Sequence, residues 1–310
     1  MNQSGLNTSC FGLKTIVFER NTRVVITAIG VSVFNVIFAL TATLGNGLML
    51  HILTTKPCLR TPSNLLLSSL CVTDFLVGLV VQPLHVVSRI YEVHNVHLCT
   101  VKLVYAYFAF LCSGASFLNV SLIGLDRFYA VCYPFRYAAR ASTKRYTVVV
   151  ATVWLLWAGL TALPFVGAIA PGQYSMVLTV SGALAIAVII ACYSAIYRVT
   201  RQHRKKISNA PSLGTFTNEV RSQRVKEHRR SNTMAIIILV LFACYLPNLV
   251  CSMLESIVGF NLDLAYVAWH WTGLLVFFNS SLNPVLYCIR NKDIRNSVIR
   301  EIRRRQTFDP

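Results

Sequence analysis

The sequence predicts an all-α membrane protein, a seven-transmembrane helix bundle closed by a short amphipathic eighth helix. Three observations predict it. Hydrophobic residues fill 55% of the 310 positions and charged residues only 13%, about half of what a soluble domain carries. Seven apolar segments are each long enough for the ~20 residues that cross a ~30 Å hydrocarbon core. The 29 Lys and Arg alternate strongly between the connections.

The spans fall near residues 30–54, 63–87, 100–132, 145–166, 177–200, 232–256 and 264–288. Pro and Gly inside them argue for a bundle, where neighbouring helices satisfy the backbone groups that such residues free. Domain order follows: an extracellular tail at 1–29, the membrane domain at 30–290, and an amphipathic helix with a short cytoplasmic tail at 291–310. Residues 1–23 lack the apolar stretch of a cleavable signal, so the first span is expected to act as the signal anchor.

Charge sets the orientation, because cations collect in cytoplasmic connections. With the N-terminus outside, twenty-four of the 29 Lys and Arg lie inside, and only Lys14, Arg20, Arg23, Arg89 and Lys102 lie outside. The +18 formal charge therefore reads as topology and attraction to anionic inner-leaflet lipid, and nucleic acid is not an expected partner. Sequons at Asn2 and Asn7 lie in the external tail, and Asn7 is the better acceptor. The matching triplets at Asn119 and Asn279 sit inside spans. Of ten cysteines, only Cys10 and Cys99 are predicted external, and they are the candidate disulfide pair.

Asp74 falls mid-membrane in the second span, where an unpaired carboxylate would cost several kcal/mol, so it must be neutral, solvated or paired. Ser116, Asn119, Asn279, Ser280 and Asn283 lie at similar depth. One carboxylate among neutral oxygens suits a small hard cation with retained water, or an interhelical hydrogen-bond network without an ion.

Landmarks recur one per span: Gly45-Asn46, Leu70 through Asp74, Asp126-Arg127-Phe128, Trp154, Tyr193, Pro247, and Asn283-Pro284 through Tyr287. Together with seven spans and an outside N-terminus they resemble the rhodopsin-like G protein-coupled receptors, over about residues 30 to 303. The resemblance implies a receptor in the plasma membrane that binds an extracellular ligand and activates heterotrimeric G proteins, without being an enzyme. It implies sodium at Asp74, Ser116, Asn279, Ser280 and Asn283. It also implies a switch in which Arg127 pairs with Asp126 and with Glu227, until the sixth helix swings about Pro247. Tyr193 and Tyr287 would turn inward to stabilise the open form, with Pro284 loosening the seventh helix.

This chain departs from that pattern at Phe128, where Tyr is commoner, at Tyr245, where Trp is usual, at Ala185 in place of a fifth-helix Pro, and at Leu241 in place of Phe. The helix-3 acid of amine receptors, seventeen residues before Asp126, is replaced by Ala109, and no opsin-type Lys occurs in residues 264–288. The external loop before the fifth span has no cysteine to pair with Cys99, and the lack of that disulfide together with the lack of the fifth-helix Pro is a pattern shared with melanocortin-like and lysolipid or cannabinoid-like members. Depth and facing nominate Ala109, Phe110, Ser113, Tyr174, Ser181, Asn248, Ser252, Glu255, Trp269, Gly273 and Phe277 as ligand-pocket residues. That mix suits a lipid, a small neutral molecule or a peptide.

The alternative is a non-signalling transporter or channel, which would need a continuous polar path. A membrane hydrolase would need a metal set, and His51, His85 and His270 lie on different spans without paired acids at ligand spacing. No cofactor is expected beyond the sodium ion.

Overall fold

The structure, a computed structural model, describes residues 8–10, 13–15, 21–94, 96, 98–167, 171–208, 239–251, 254 and 262–306. In the tail, β1 (Thr8–Cys10) and β2 (Leu13–Thr15) form an antiparallel ribbon that pairs Thr8 with Thr15, an element the sequence reading did not contain.

Helix α1 (Thr22–Thr55) starts earlier than the predicted span, because Asn21 caps it by accepting from the Val24 amide at 2.9 Å. Lys56-Pro57 ends it in a short 3₁₀ turn. Thr61 caps α2 (Pro62–Leu76), with Pro62 in its first turn where no N–H is needed. The second span then passes through a π-bulge at Val77–Val81 and continues as α3 (Gln82–Val93). Gly78 in the bulge lets helices touch: a Cβ there would lie 2.6 Å from Thr43 Oγ1 and 2.8 Å from the Ala39 carbonyl.

The third span is α4 (Cys99–Cys132). Pro134 opens a separate cytoplasmic turn, α5 (Pro134–Arg140), where the sequence reading placed only a loop. The fourth and fifth spans are α6 (Thr143–Ala162) and α7 (Pro171–Ser208). The described part of the sixth is α8 (Leu239–Cys251). The seventh is α9 (Leu262–Arg290), which carries Pro284 in its interior. An amphipathic helix, α10 (Lys292–Gln306), follows, and Glu301 on it pairs with Lys56 at 3.2 Å, fixing it beneath α1. Among the described residues six helices are long and apolar enough to cross a membrane.

Burial is inverted relative to a water-soluble bundle. Leu44, Leu155 and Leu156 lie mostly exposed, whereas Asn35, Asn46, Thr73, Asp74 and Gln82 are fully buried. Lipid accounts for the first set. The interior polar groups mark where interhelical chemistry occurs. The main apolar core joins Met49, Leu70, Val120, Ile189, Leu241 and Tyr287, so it ties the cytoplasmic halves of the helices together.

Candidate functional site

At the cytoplasmic end of α4, Arg127 is turned back onto its neighbour. Its Nε donates to Asp126 Oδ2 at 2.9 Å, and a terminal nitrogen contacts both Asp126 and Ser63. Ser63 Oγ in turn donates to Asp126 at 3.0 Å. Two tyrosines complete the carboxylate's shell: Tyr137 on α5 donates at 2.9 Å, and Tyr146 on α6 donates to the same oxygen. Burial pushes the Tyr137 hydroxyl above its ordinary value, the Asp126 charge adds to that, and it remains a donor. Asp126 is thus a buried anion held from α2, α4, α5 and α6, and charge-assisted bonds of this kind are the strong ones. A cavity of about 570 Å³ lined by Asp126, Phe128, Tyr133, Arg136, Tyr137 and Tyr146 lies beside it. The other proposed partner, Glu227, lies outside the described residues.

Midway through the bundle, Asn283 Nδ2 donates to Asp74 Oδ2 at 2.6 Å. Ser280 sits against the same carboxylate, and Asn46 reaches from α1 to the Ser280 carbonyl at 2.9 Å. Asn279 and Ser116 are buried at the same level. Asp74 Oδ1 and Ser116 Oγ are buried without a hydrogen-bond partner among the described residues. Asn119 belongs to a different chain of contacts: Trp154 Nε1 donates to Ser69 at 2.9 Å, and Ser69 donates to Asn119 at 2.8 Å.

At the Asp74 level and just outward of it, Tyr245 of α8 stacks edge-on against Phe117 of α4 with ring centroids 4.5 Å apart, and its hydroxyl is hydrogen-bonded with Ser113. Ser121 reaches the Ala185 carbonyl at 3.4 Å, while the Tyr193 ring packs against Gly124. Pro284 fills the space over Gly45, where a Cβ would come within 2.9 Å. Tyr287 is buried in the main core, and Pro247 lies within α8.

The outer half is where the sequence reading was least complete. The buried face of α3 consists of Gln82, His85, Ser88, Arg89 and Glu92, a polar stripe at helical spacing within an apolar span. Arg89 pairs with Glu92 and contacts His270 of α9. Tyr266 is hydrogen-bonded with both members of that ion pair. Asn35 on α1 faces His85 at 3.3 Å. Below this set lies an apolar floor of Val81, Cys112 and Phe277, with Phe108 and Ala109 packed against it.

Of the nominated pocket residues, Phe277 meets His85 edge-on at 5.4 Å. A Cβ on Gly273 would meet open space, and Asn248 donates to Thr272 at 3.2 Å. Phe110 is exposed on the bundle surface, because its part of α4 turns outward and its carbonyl accepts from Trp157. Trp269 and Ser181 are half-buried. Ser252, Glu255 and the Tyr174 side chain lie outside the described residues, as do Asn2 and Asn7. Cys99 is disulfide-bonded.

The chain matches the profile described as 7 transmembrane receptor (rhodopsin family) over residues 45–170 and 167–287. It belongs to that family of receptors. Among its relatives, trace amine-associated receptor 365 of Petromyzon marinus is 27% identical over 77% of this chain and 70% of its own length. Trace amine-associated receptor 2 of Rattus norvegicus is 24% identical, over 78% and 76%. The 5-hydroxytryptamine receptor 6 of Mus musculus is 27% identical, over 82% and 66%.

The receptor is therefore a multi-pass plasma-membrane protein with its N-terminus outside, which binds an extracellular ligand and couples to G proteins. The transporter, channel and enzyme readings are set aside. Sequence reasoning missed Ser63, Tyr137 and Tyr146 around Asp126, and it missed the α3 stripe. The second was detectable, since residues 82, 85, 88, 89 and 92 mark one helical face, but Arg89 was counted only as an external cation and His85 only as a scattered histidine that fits no metal set.

Proposed function

We propose that the receptor is a two-state switch whose resting form is held by the Arg127, Asp126 and Ser63 contact at the cytoplasmic end of α4. The observation that carries this reading is the guanidinium folded onto a buried carboxylate that four side chains satisfy. A guanidinium held there is withheld from the crevice a G protein helix would enter. Agonist binding in the outer half swings the sixth helix about Pro247, frees Arg127 from Asp126 and from Glu227, and lets Tyr193 turn inward toward Tyr287, which is already buried in the core. Phe128 keeps the charged pair intact, and Tyr245 replaces Trp as the contact through which ligand acts on α4.

Sodium is the proposed modulator of the central site. Asp74 Oδ1 and Ser116 Oγ, buried and without a hydrogen-bond partner among the described residues, fit a hard cation. Asp74, Ser116, Asn279, Ser280 and Asn283 would hold it and would favour the resting form. When bound, the ion supplies a fixed positive charge. The chain's own part is to keep the Asp74 carboxylate ionised and oriented through Asn283.

The ligand is a small molecule reaching the floor formed by Ala109 and Phe277, with Gly273, Asn248, Ser113 and Trp269 beside it. Relatives named for amines suggest that class, yet Ala109 offers no acid to an ammonium group. Cys10 is the proposed partner of Cys99, joining tail to α4, and sugars at Asn7 and Asn2 would cover the outer face. The basic α10 lies along anionic inner-leaflet lipid.

Agonist-independent coupling in cells, read for wild type and Arg127→Ala at matched surface expression across several G protein families, tests the switch. A basal signal lost in the variant is the expected result. A signal that persists undiminished in Arg127→Ala rules the arginine out as the coupling element.

A further inference from the structure

We propose that the polar stripe of α3 is the subsite for a carboxylate group on the receptor's ligand, with Arg89 as its direct partner. This rests on the receptor reading above and goes further by naming the ligand's charge.

The α3 stripe runs against the usual economy of a membrane helix. A spanning segment turns apolar side chains to lipid and buries small or apolar ones, yet every buried residue of α3 is polar and two are charged. The π-bulge at Val77–Val81 turns this part of the span, with the Gln82 N–H bonding back to the Val77 carbonyl. Pro83, lacking an N–H, sits just beyond it. Bulges of this kind commonly occur where a helix serves a site.

The charge balance selects the ligand. Among the described residues the set contains Arg89, Glu92 and Lys102. Lys102 comes from α4, is partly buried, and lies within electrostatic range of both other groups. Two cations against one anion leave this set of described residues with a net positive charge. His85 and His270, with ring centroids 6.0 Å apart, only add to it when protonated. Tyr105, Tyr266 and Asn35 are neutral. An ammonium ligand would raise the imbalance, whereas one carboxylate cancels it. Uncompensated charge in such a place is expensive, so the site prefers an acid.

The donors are in place as well. Arg89 presents five N–H groups in a fixed fork. Its Nε, although buried, has no acceptor among the described residues, and neither does Gln82 Oε1 have a donor. The Arg89 and Glu92 pair is made within one helix at spacing i, i+3, so it exchanges without moving a helix. Glu92 turns to Lys102, and the freed guanidinium takes the incoming carboxylate bidentately. The apolar floor of Phe277, Phe108 and Ala109 would receive the ligand's hydrocarbon part. Because Arg89 also contacts His270, recruiting it to a ligand acts directly on α9, the helix that carries Asn283.

The full receptor in cells is challenged with phenylacetate and benzoate, their amides phenylacetamide and benzamide, and the amines phenethylamine and benzylamine, with G protein activation as the readout. The acids are expected to act, with amides and amines weaker by about tenfold or more, the loss that follows when a charged partner is left unpaired. Arg89→Gln alone strands Glu92, so the variants are Lys102→Gln and the double Arg89→Gln with Glu92→Gln, compared at matched surface expression. Each should weaken the acids by about tenfold or more. Silence from both acids, preference for the amines, or equal acid responses in the variants overturns the proposal. Basal signalling that disappears in Arg127→Ala leaves the switch standing in each of those cases. Acid responses that survive Arg127→Ala uphold the subsite and remove the switch instead.

Discussion

Asn283 donates to Asp74 at 2.6 Å across the middle of the bundle, tying the seventh span to the second. The other carboxylate oxygen, Asp74 Oδ1, is buried without a partner among the described residues. A carboxylate satisfied on one side only is poised to take a cation on the other. Agonist-free signalling in wild type is therefore expected to rise when choline replaces sodium in the medium. Asp74→Asn, which keeps the shape and removes the charge, should show the same signal in both media. A variant that still responds to sodium would place the ion elsewhere.

The shell around Asp126 gives a second expectation. Hydrogen bonds to a charged group contribute about 1.5–3 kcal/mol each, so deleting one hydroxyl shifts the resting equilibrium by about tenfold or more. Tyr146→Phe should raise agonist-independent coupling, and Tyr137→Phe should do the same. Ser63→Ala removes a group that both donates to Asp126 and accepts from Arg127, and its effect should be at least as large. Unchanged basal coupling in all three, at normal surface density, would show that the shell serves stability alone.

How far the sequence could be read follows from what each residue depends on. Spans and orientation were legible, because apolar length and the placement of cations are properties of the chain itself. Asp74 and Asn283 were legible for a similar reason, since a polar group deep in an apolar helix is costly unless partnered, while Asp126 and Trp154 were legible only as landmarks of the resembling family. The contact of Tyr146 with Asp126 was not, because it joins residues twenty positions apart through the angle between α4 and α6. Nor was the inward aim of Arg89, which depends on the π-bulge, and nothing in Val77–Val81 distinguishes a bulge from ordinary helix. The α5 turn after Pro134 and the β1–β2 ribbon were missed as well, because short elements carry too few residues for a periodic pattern.

Packing gives a third expectation. A Cβ on Gly114 would fall 1.9 Å from the Trp157 ring, and that ring is fixed because its Nε1 donates to the Leu111 carbonyl at 3.1 Å. Gly114→Ala must therefore push α4 away from α6. Overpacking of this kind costs about 1–3 kcal/mol, occasionally more. Gly159 faces open space in the same region, and alanine there should be neutral or gain up to about 1 kcal/mol in helix propensity. Thermal unfolding of the purified receptor should separate the two variants, lower for Gly114→Ala and equal or higher for Gly159→Ala.

The contact between Tyr245 and α4 gives the last. Its ring lies edge-on against Phe117 at 4.5 Å, a geometry worth about 0.5–1.5 kcal/mol beyond area burial, and its hydroxyl is tied to Ser113. The ring holds the packing while the hydroxyl holds the position of α8, so the two functions separate by mutation. Tyr245→Phe should keep surface expression and raise basal coupling by a few-fold, since a single neutral hydrogen bond contributes about 0.5–1.5 kcal/mol. Ser113→Ala removes the same bond from the other side and should give the same rise. The double variant should add nothing to either, because neighbours that act through one contact are not additive. Tyr245→Ala opens a cavity as well, at about 3–5 kcal/mol for a large aromatic side chain, and should fail at the level of expression. Additive effects of Tyr245→Phe and Ser113→Ala would show that the two hydroxyls act separately, and the restraint on α8 would then lie with the ring.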